Sequence, residues 1–294
     1  MRPIHVAQLL LLSFIWGTAY LFMRASVPAF GPAPMIFLRM ALGSLLVLFP
    51  LTLWRFGLGP LREHWRELVI FGVAFTAVPF LGLGFAAQSI SAGMLAVLQS
   101  AAPLFAAVVA HFWLRERFTP IRALGLVIGF AGVTLLVWDK VGVREDAGVA
   151  VLVTLAVTAL WGVSSNYARA RLHAIDPIVL ATGSIGAAAM ALAPFALLSW
   201  PVEPPGAKAW AEVIFLGIAA SGFGFLLYFG LLGQIGAVRA TSVTFLNPVV
   251  AMGAGAVYLG EEITLRMVLG CVVILTGTAL SLGLVPRRSP AGSR

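Results

Sequence analysis

The chain has 294 residues, of which 61% are hydrophobic and only 10% charged, and its mean hydropathy is +1.01. That balance excludes a water-soluble globular domain. A net charge of +8 raises nucleic acid as a partner, a reading that the placement of the charges removes below, and the single cysteine, Cys271, supports neither a disulfide framework nor a thiolate metal site.

Crossing a bilayer takes about 20 apolar residues of helix. Stretches of that kind predict ten spans, at 4–23, 33–54, 66–86, 91–113, 120–138, 147–168, 177–199, 210–232, 238–259 and 265–285. In the first, Ser13, Trp16, Gly17, Tyr20 and Arg24 recur at steps of three and four and so share one helical face. This span does not read as a secretory signal, because Arg24 rather than a small-residue cleavage site follows it and nine spans come after. Trp16 stands about 12 residues in, near mid-depth, where an interfacial anchor does not belong; that favours a cavity wall over helix packing. Arg24, at the span end, reads as a snorkelling arginine.

Arg39, in the second span, is either a substrate-carboxylate contact or a snorkelling cation. Gln88, at the end of the third, reads as an interfacial hydrogen bond. The fourth carries Gln99 with Pro103, and the ninth carries Thr244 with Asn247 and Pro248. A proline inside a span frees a carbonyl one turn earlier, so these positions serve either as kinks or as polar contacts for a substrate. His111 is a lone histidine, read as hydrogen-bonded rather than as a proton carrier. Before spans five and ten, Glu116, Glu261 and Glu262 suit helix N-termini, with Thr119 and Thr264 as caps. Glycines 125, 129, 132, 270 and 277 read as close-packing ridges in those two spans. The sixth span repeats the stripe of the first with Thr158, Trp161, Gly162, Ser165 and Arg169, and the eighth adds Tyr228.

The cations are sorted by side. With the N-terminus inside, cytoplasmic segments hold Arg2, Arg55, Arg62, Arg66, Arg115, Arg117, Arg122, Arg169, Arg171, Arg239, Arg287, Arg288 and Arg294. The opposite side holds Arg24, Lys140, Arg144, Lys208 and Arg266. The excess places both termini in the cytoplasm and makes the basic charge topogenic rather than a nucleic-acid footprint.

The stretches "WGTAYLFMRA" at Trp16 and "WGVSSNYARA" at Trp161 lie 145 residues apart. The same offset aligns Glu67 with Glu212, Gly72 with Gly217, Pro103 with Pro248, Leu114 with Leu259, Glu116 with Glu261, Thr119 with Thr264, Gly125 with Gly270 and Gly132 with Gly277. Apolar periodicity alone does not reproduce Pro, Glu and Gly matches, so the chain is read as a duplication, repeat 1 at about 4–138 and repeat 2 at about 147–285. Each repeat holds an odd number of spans, so the second enters the membrane inverted, as secondary transporters arrange their two access states. The fold class is therefore all-α: a single domain over 1–294 of ten transmembrane helices, two inverted five-helix repeats around a central cavity.

Each half ends in Pro, then Leu-x-Glu-x-x-Thr, then spaced glycines: "PLFAAVVAHFWLRERFTPIRALGLVIGFAG" and "PVVAMGAGAVYLGEEITLRMVLGCVVILTG". With the paired Trp-Gly and Arg39, this resembles the drug/metabolite transporter superfamily, EamA type. The resemblance implies a cavity lined by the first four helices of each half, spans five and ten being peripheral, and a cargo of amino acids, other metabolites or drugs.

All eleven acids are read as lying in loops or at span ends. A proton-coupled carrier usually keeps a carboxylate in its path, so gradient-driven export by alternating access is the expected mechanism. An aromatic, amide-bearing cavity suits a small zwitterion, which makes amino acids the leading cargo and lipophilic drugs the alternative. The expected substrate contacts are Trp16, Tyr20, Arg39, Gln99, Pro103, Trp161, Ser165, Tyr228, Thr244 and Asn247. No cofactor or metal is expected, since the four histidines lie far apart with no H-E-x-x-H. The expected partners are a small-molecule substrate and the lipid of the inner membrane, around a monomer. Two readings from other classes compete, an intramembrane lipid-modifying enzyme and a passive channel; the first needs an acid, base or nucleophile at depth.

Overall fold

Eight helices in a computed structural model of the chain are long and apolar enough to cross a bilayer. They are α1 (Pro3–Phe30), α2 (Pro32–Phe56), α3 (Trp65–Ala86), α4 (Ala92–Trp113), α5 (Pro120–Val137), α6 (Asp146–Arg171), α7 (Pro177–Leu198) and α8 (Ala207–Leu231). Two shorter apolar helices, α9 (Val243–Leu259) and α10 (Leu265–Ser281), complete the ten. The structure describes residues 2–116, 119–137, 145–235, 240 and 243–282, the side chains of 145, 232 and 233 aside. Arg117, Asp139, Lys140, Arg144, Arg239, Arg287, Arg288 and Arg294, used above to assign sidedness or to place the acids, lie outside the described residues. Among the described residues there is no strand.

Local chemistry explains the helix ends. Proline opens α2, α5 and α7, where its missing N–H costs nothing. Asp176 caps α7 by accepting from the Ile178 amide at 2.8 Å, and Thr264 caps α10 through the Met267 amide at 3.2 Å. The turns that leave α4 and α9 are built alike. Arg115 (φ 56°) and Gly260 (φ 66°), 145 residues apart, both take the left-handed conformation. The next amide then reaches back, Glu116 to the Ala110 carbonyl and Glu261 to that of Gly255. Glycine adopts this conformation freely, whereas arginine meets a cost of about 1 kcal/mol.

Two sequence expectations change. The first helix continues through Arg24 to Phe30, and the Arg24 guanidinium is bonded to carbonyls within the protein. The fourth span is broken at Ser100–Ala101, where Pro103 has no N–H to return to the Gln99 carbonyl. Pro248, at the equivalent point of α9, sits inside an unbroken helix.

Three π-helical turns were not foreseen: Ser44–Leu48 in α2, Val73–Ala77 in α3 and Phe215–Phe223 in α8. Those in α3 and α8 overlap under the 145-residue offset. Such turns release backbone carbonyls from the helical ladder and recur at functional sites.

Helix contacts follow a two-fold pattern. The pair α1–α9 mirrors α6–α4, α1–α8 mirrors α6–α3, and α2–α8 mirrors α7–α3, while α2–α7 and α5–α10 map onto themselves. Glycines set the closest approaches. A Cβ on Gly17 would stand 2.5 Å from Val250 Cβ, and one on Gly162 would stand 2.7 Å from the Ala106 nitrogen. Gly125 and Gly132 likewise meet the backbone of α10 at Ser281 and Ile274. Small residues give helices in lipid their van der Waals contact, where no hydrophobic force separates helix from solvent.

Candidate functional site

Between the two repeats lies a cavity of about 410 Å³. The pieces supplied by α6–α9 come from the halves of those helices nearest the side at which α1 begins, here the near side. The cavity therefore extends toward that side and stops short of the far side.

The tryptophans that open the two matched stretches both line it. Trp16 packs edge-on against Phe225 (centroids 5.8 Å, 65°), and Trp161 packs edge-on against Phe80 (5.3 Å, 68°). Phe80 and Phe225 are themselves 145 residues apart, so the two corners are repeat mates. Each Trp-Gly pair divides its labour: glycine lets its helix touch the partner repeat, and the adjacent indole forms cavity wall. The π-helical turn of α8 completes one corner. Gly224 bonds back to the Ala219 carbonyl, and the Ala220 carbonyl accepts from Trp16 Nε1 at 3.0 Å. Gly224 itself leaves room for that indole, since a Cβ there would stand 2.5 Å from Trp16 Nε1.

Arg39 also lines the cavity and is 5% exposed, so it does not snorkel. Its Nε donates to Ser221 Oγ at 2.9 Å, its Nη1 to Met23 Sδ at 3.0 Å, and its guanidinium carbon lies 4.5 Å from the Phe80 ring centre. No carboxylate pairs with it among the described residues. It is the one charged side chain among the described residues lining the cavity, and its repeat mate, Ser184 on the adjoining helix α7, lines it too. A buried cation without a counter-charge costs roughly several kcal/mol, of which a desolvated ring face returns about 2.

Gln99 and Thr244 are repeat mates and both line the cavity, as do Tyr20 and Asn247. Gln99 is 6% exposed, and neither its Oε1 nor its Nε2 has a hydrogen-bond partner; Asn247 is 7% exposed, with Oδ1 unpartnered. Buried amides left unpaired cost about 1–3 kcal/mol each.

Three expected contacts fall elsewhere. Ser165 is exposed and its hydroxyl returns to the Gly162 carbonyl at 3.0 Å; Ser164, one residue and about 100° around the helix, faces the cavity instead. Tyr228 packs behind Trp16 (5.3 Å) with Leu9 and Leu12, outside the lining. Pro103 is not in the lining either, its neighbour Ala102 taking that place. The sequence reading passed over Thr76, Phe80, Ser184 and Phe225, although Phe80 and Phe225 match at the constant offset and were legible by it.

The loop acids do more than cap helices. Arg24 of repeat 1 faces Glu261 of repeat 2 at 3.9 Å, and Arg169 of repeat 2 donates to Glu116 of repeat 1 at 2.7 Å. Both pairs cross between repeats and map onto each other under the offset. On the far side, Arg24 also donates to the Ala87 and Gln88 carbonyls at 2.9 and 3.0 Å, while both Glu261 oxygens accept from the Ala92 amide at 3.1 Å. Glu261 therefore serves the start of α4 rather than that of α10, because the turn at Gly260 carries its carboxylate back across the bundle.

One acid lies deeper than a span end. Glu212 is 4% exposed within α8, where the Tyr258 hydroxyl donates to it at 3.1 Å and Lys208 sits over the Tyr258 ring. The helix starts at Ala207 rather than 210, which carries Glu212 into the bundle. It does not line the cavity.

Comparison with known proteins agrees with this geometry. The EamA-like transporter family matches at residues 4–138 and again at 148–283, one match per repeat. The chain belongs to the EamA-like transporter family. It is 26% identical over 284 residues to the uncharacterized transporter YoaV of Bacillus subtilis, covering 94% of this chain and 96% of that one. An uncharacterized transporter of Archaeoglobus fulgidus is 29% identical over 268 residues (89% and 92%). A probable amino-acid metabolite efflux pump of Escherichia coli is 22% identical over 285 residues (93% of each). A solved crystal structure shares the fold with a TM-score of 0.71 at 23% identity, over 98% of this chain and all of the other. This EamA-like protein is thus a multi-pass membrane transporter and not an enzyme.

Proposed function

We propose that the chain exports small amphipathic metabolites, amino acids foremost, by alternating access of its two repeats. The observation that carries this is the cavity between them, with an aromatic corner from each repeat and unpartnered buried amides at Gln99 and Asn247. The rings cover an apolar side chain, and the amides meet polar ends. The name carried by the E. coli relative, an amino-acid metabolite efflux pump, supports the same cargo. The arginine excess favours a near side that is cytoplasmic, with both termini there, so that the cavity loads from inside the cell across the plasma membrane. The cavity's described lining holds no carboxylate, which favours transport down the substrate's own gradient.

Two measurements test the reading. In proteoliposomes preloaded with unlabelled amino acid, labelled amino acid enters by saturable counterflow whose rate ignores an imposed pH gradient. Flux only under a proton gradient refutes the energetic part, and multidrug flux that amino acids do not compete with refutes the cargo in favour of a lipophilic-drug exporter. In a Cys271→Ser background, a single cysteine in the 57–64 link stays unlabelled by impermeant maleimide added to intact cells; labelling there reverses the orientation.

A further inference from the structure

Resting on that reading, we infer that the cavity selects its cargo by a carboxylate anchored on Arg39, so that an amino group is dispensable and organic acids lacking one are cargo as well. The charge distribution is one-sided. Arg39 is the single charge among the described lining residues, and the two-fold puts a serine, Ser184, where its mate would stand. A carboxylate therefore meets a full counter-charge in a buried site, while an ammonium meets only neutral acceptors such as Gln99 Oε1 and Asn247 Oδ1.

The guanidinium is oriented for this role. Ser221 and Met23 hold Nε and Nη1, the Phe80 face packs against the fork, and Nη2 has no partner among the described residues. Arginine presents planar donors that match a carboxylate, and hydrogen bonds between ions are about twice as strong as neutral ones. Because Arg39 is buried, the carboxylate also reduces the penalty of the uncompensated cation, a gain that an amine cannot supply. A charged hydrogen-bonded contact worth about 2 kcal/mol corresponds to about 30-fold in affinity.

The test uses four ligands that share one phenyl side chain: phenylalanine, 3-phenylpropionate, 3-phenylpropionamide and 2-phenylethylamine. Binding to the purified full-length protein is measured by calorimetry, and competition is measured in the counterflow assay. Phenylalanine and 3-phenylpropionate are expected within about fivefold of each other, and 2-phenylethylamine about 30-fold weaker than either. Arg39→Gln is expected to erase the advantage of the acid over the amine while changing 3-phenylpropionamide binding by less than about threefold. Arg39→Lys, which keeps the charge without the planar fork, retains part of that advantage.

The wild-type ranking stands even where a variant is poorly folded. An amine that binds as well as the acid overturns the inference and leaves the transporter reading intact. An acid without the amino group that fails to bind, while phenylalanine binds, also overturns it. If none of the four binds the wild-type protein, this inference and the amino-acid reading fall together.

Discussion

A Gly162→Leu variant is expected to lose most of its folded population, the largest effect of any single substitution considered. A Cβ at 162 would stand 2.7 Å from the Ala106 nitrogen and 2.8 Å from the Phe105 carbonyl carbon. Both are backbone atoms of α4, which cannot swing aside as a side-chain tip does. α6 must then move off α4, opening the contact that holds the two repeats together and displacing Trp161 from the cavity wall. Overpacking of this kind costs about 3 kcal/mol or more, a large share of a marginal stability. Gly17→Leu is expected to act in the same direction on α1 and α9, somewhat more mildly, because its nearest obstacle is the Val250 side chain. Gly253→Leu supplies the control, since nothing lies within 4 Å of a Cβ there. The readout is the monodisperse fraction on size exclusion together with thermal stability in detergent. Equal behaviour of the 162 and 253 variants would refute the packing of α6 on α4.

Glu261→Ala is expected to loosen the far side. The carboxylate faces Arg24 at 3.9 Å and accepts from the Ala92 amide with both oxygens, thereby joining α1, the start of α4 and the turn before α10. An acid at a helix N-terminus is worth up to about 1–2 kcal/mol when part-buried, and the ion pair adds less. Removing both shifts the balance between closed and open far sides by about tenfold. With Ala96→Cys in a Cys271→Ser background, impermeant maleimide applied from the far side reaches the cavity slowly in the parent and about ten times faster in the Glu261→Ala variant. Glu261→Gln, which keeps an acceptor for the Ala92 amide but loses the charge, falls between them. An unchanged labelling rate means that this cluster does not close the far side. The mate pair, Arg169 with Glu116, is more exposed, and its loss is expected to change stability by less than about 1 kcal/mol.

Membrane class, helix count and duplication were legible in the chain because each depends on local composition or on a constant spacing. Apolar stretches as long as a bilayer is thick are helices for want of any other way to satisfy their backbone. An offset of 145 residues carried by Pro, Glu, Gly and Trp marks the repeat without any knowledge of contacts. Trp16 and Trp161 stand at mid-depth on matching polar stripes, which pointed them toward a cavity, and both are among the residues that line it.

Other features depended on which helix faces which. Whether Arg39 snorkels or turns inward is decided by Ser221 on α8 and Phe80 on α3, residues distant in sequence. The choice of Ser164 over Ser165 depends on a helix rotation that a stripe read at steps of three and four does not resolve. Glu212 looked like a span-end acid until the start of α8 and the Tyr258 hydroxyl placed it inside. The partners of Glu261 lie on α1 and at the start of α4, and no local signal names them. Local sequence determines what a segment becomes, because hydrogen bonding and burial within a helix are settled over one or two turns. What a side chain does in the site is settled by groups on other helices, and only the packing of the two repeats brings those together.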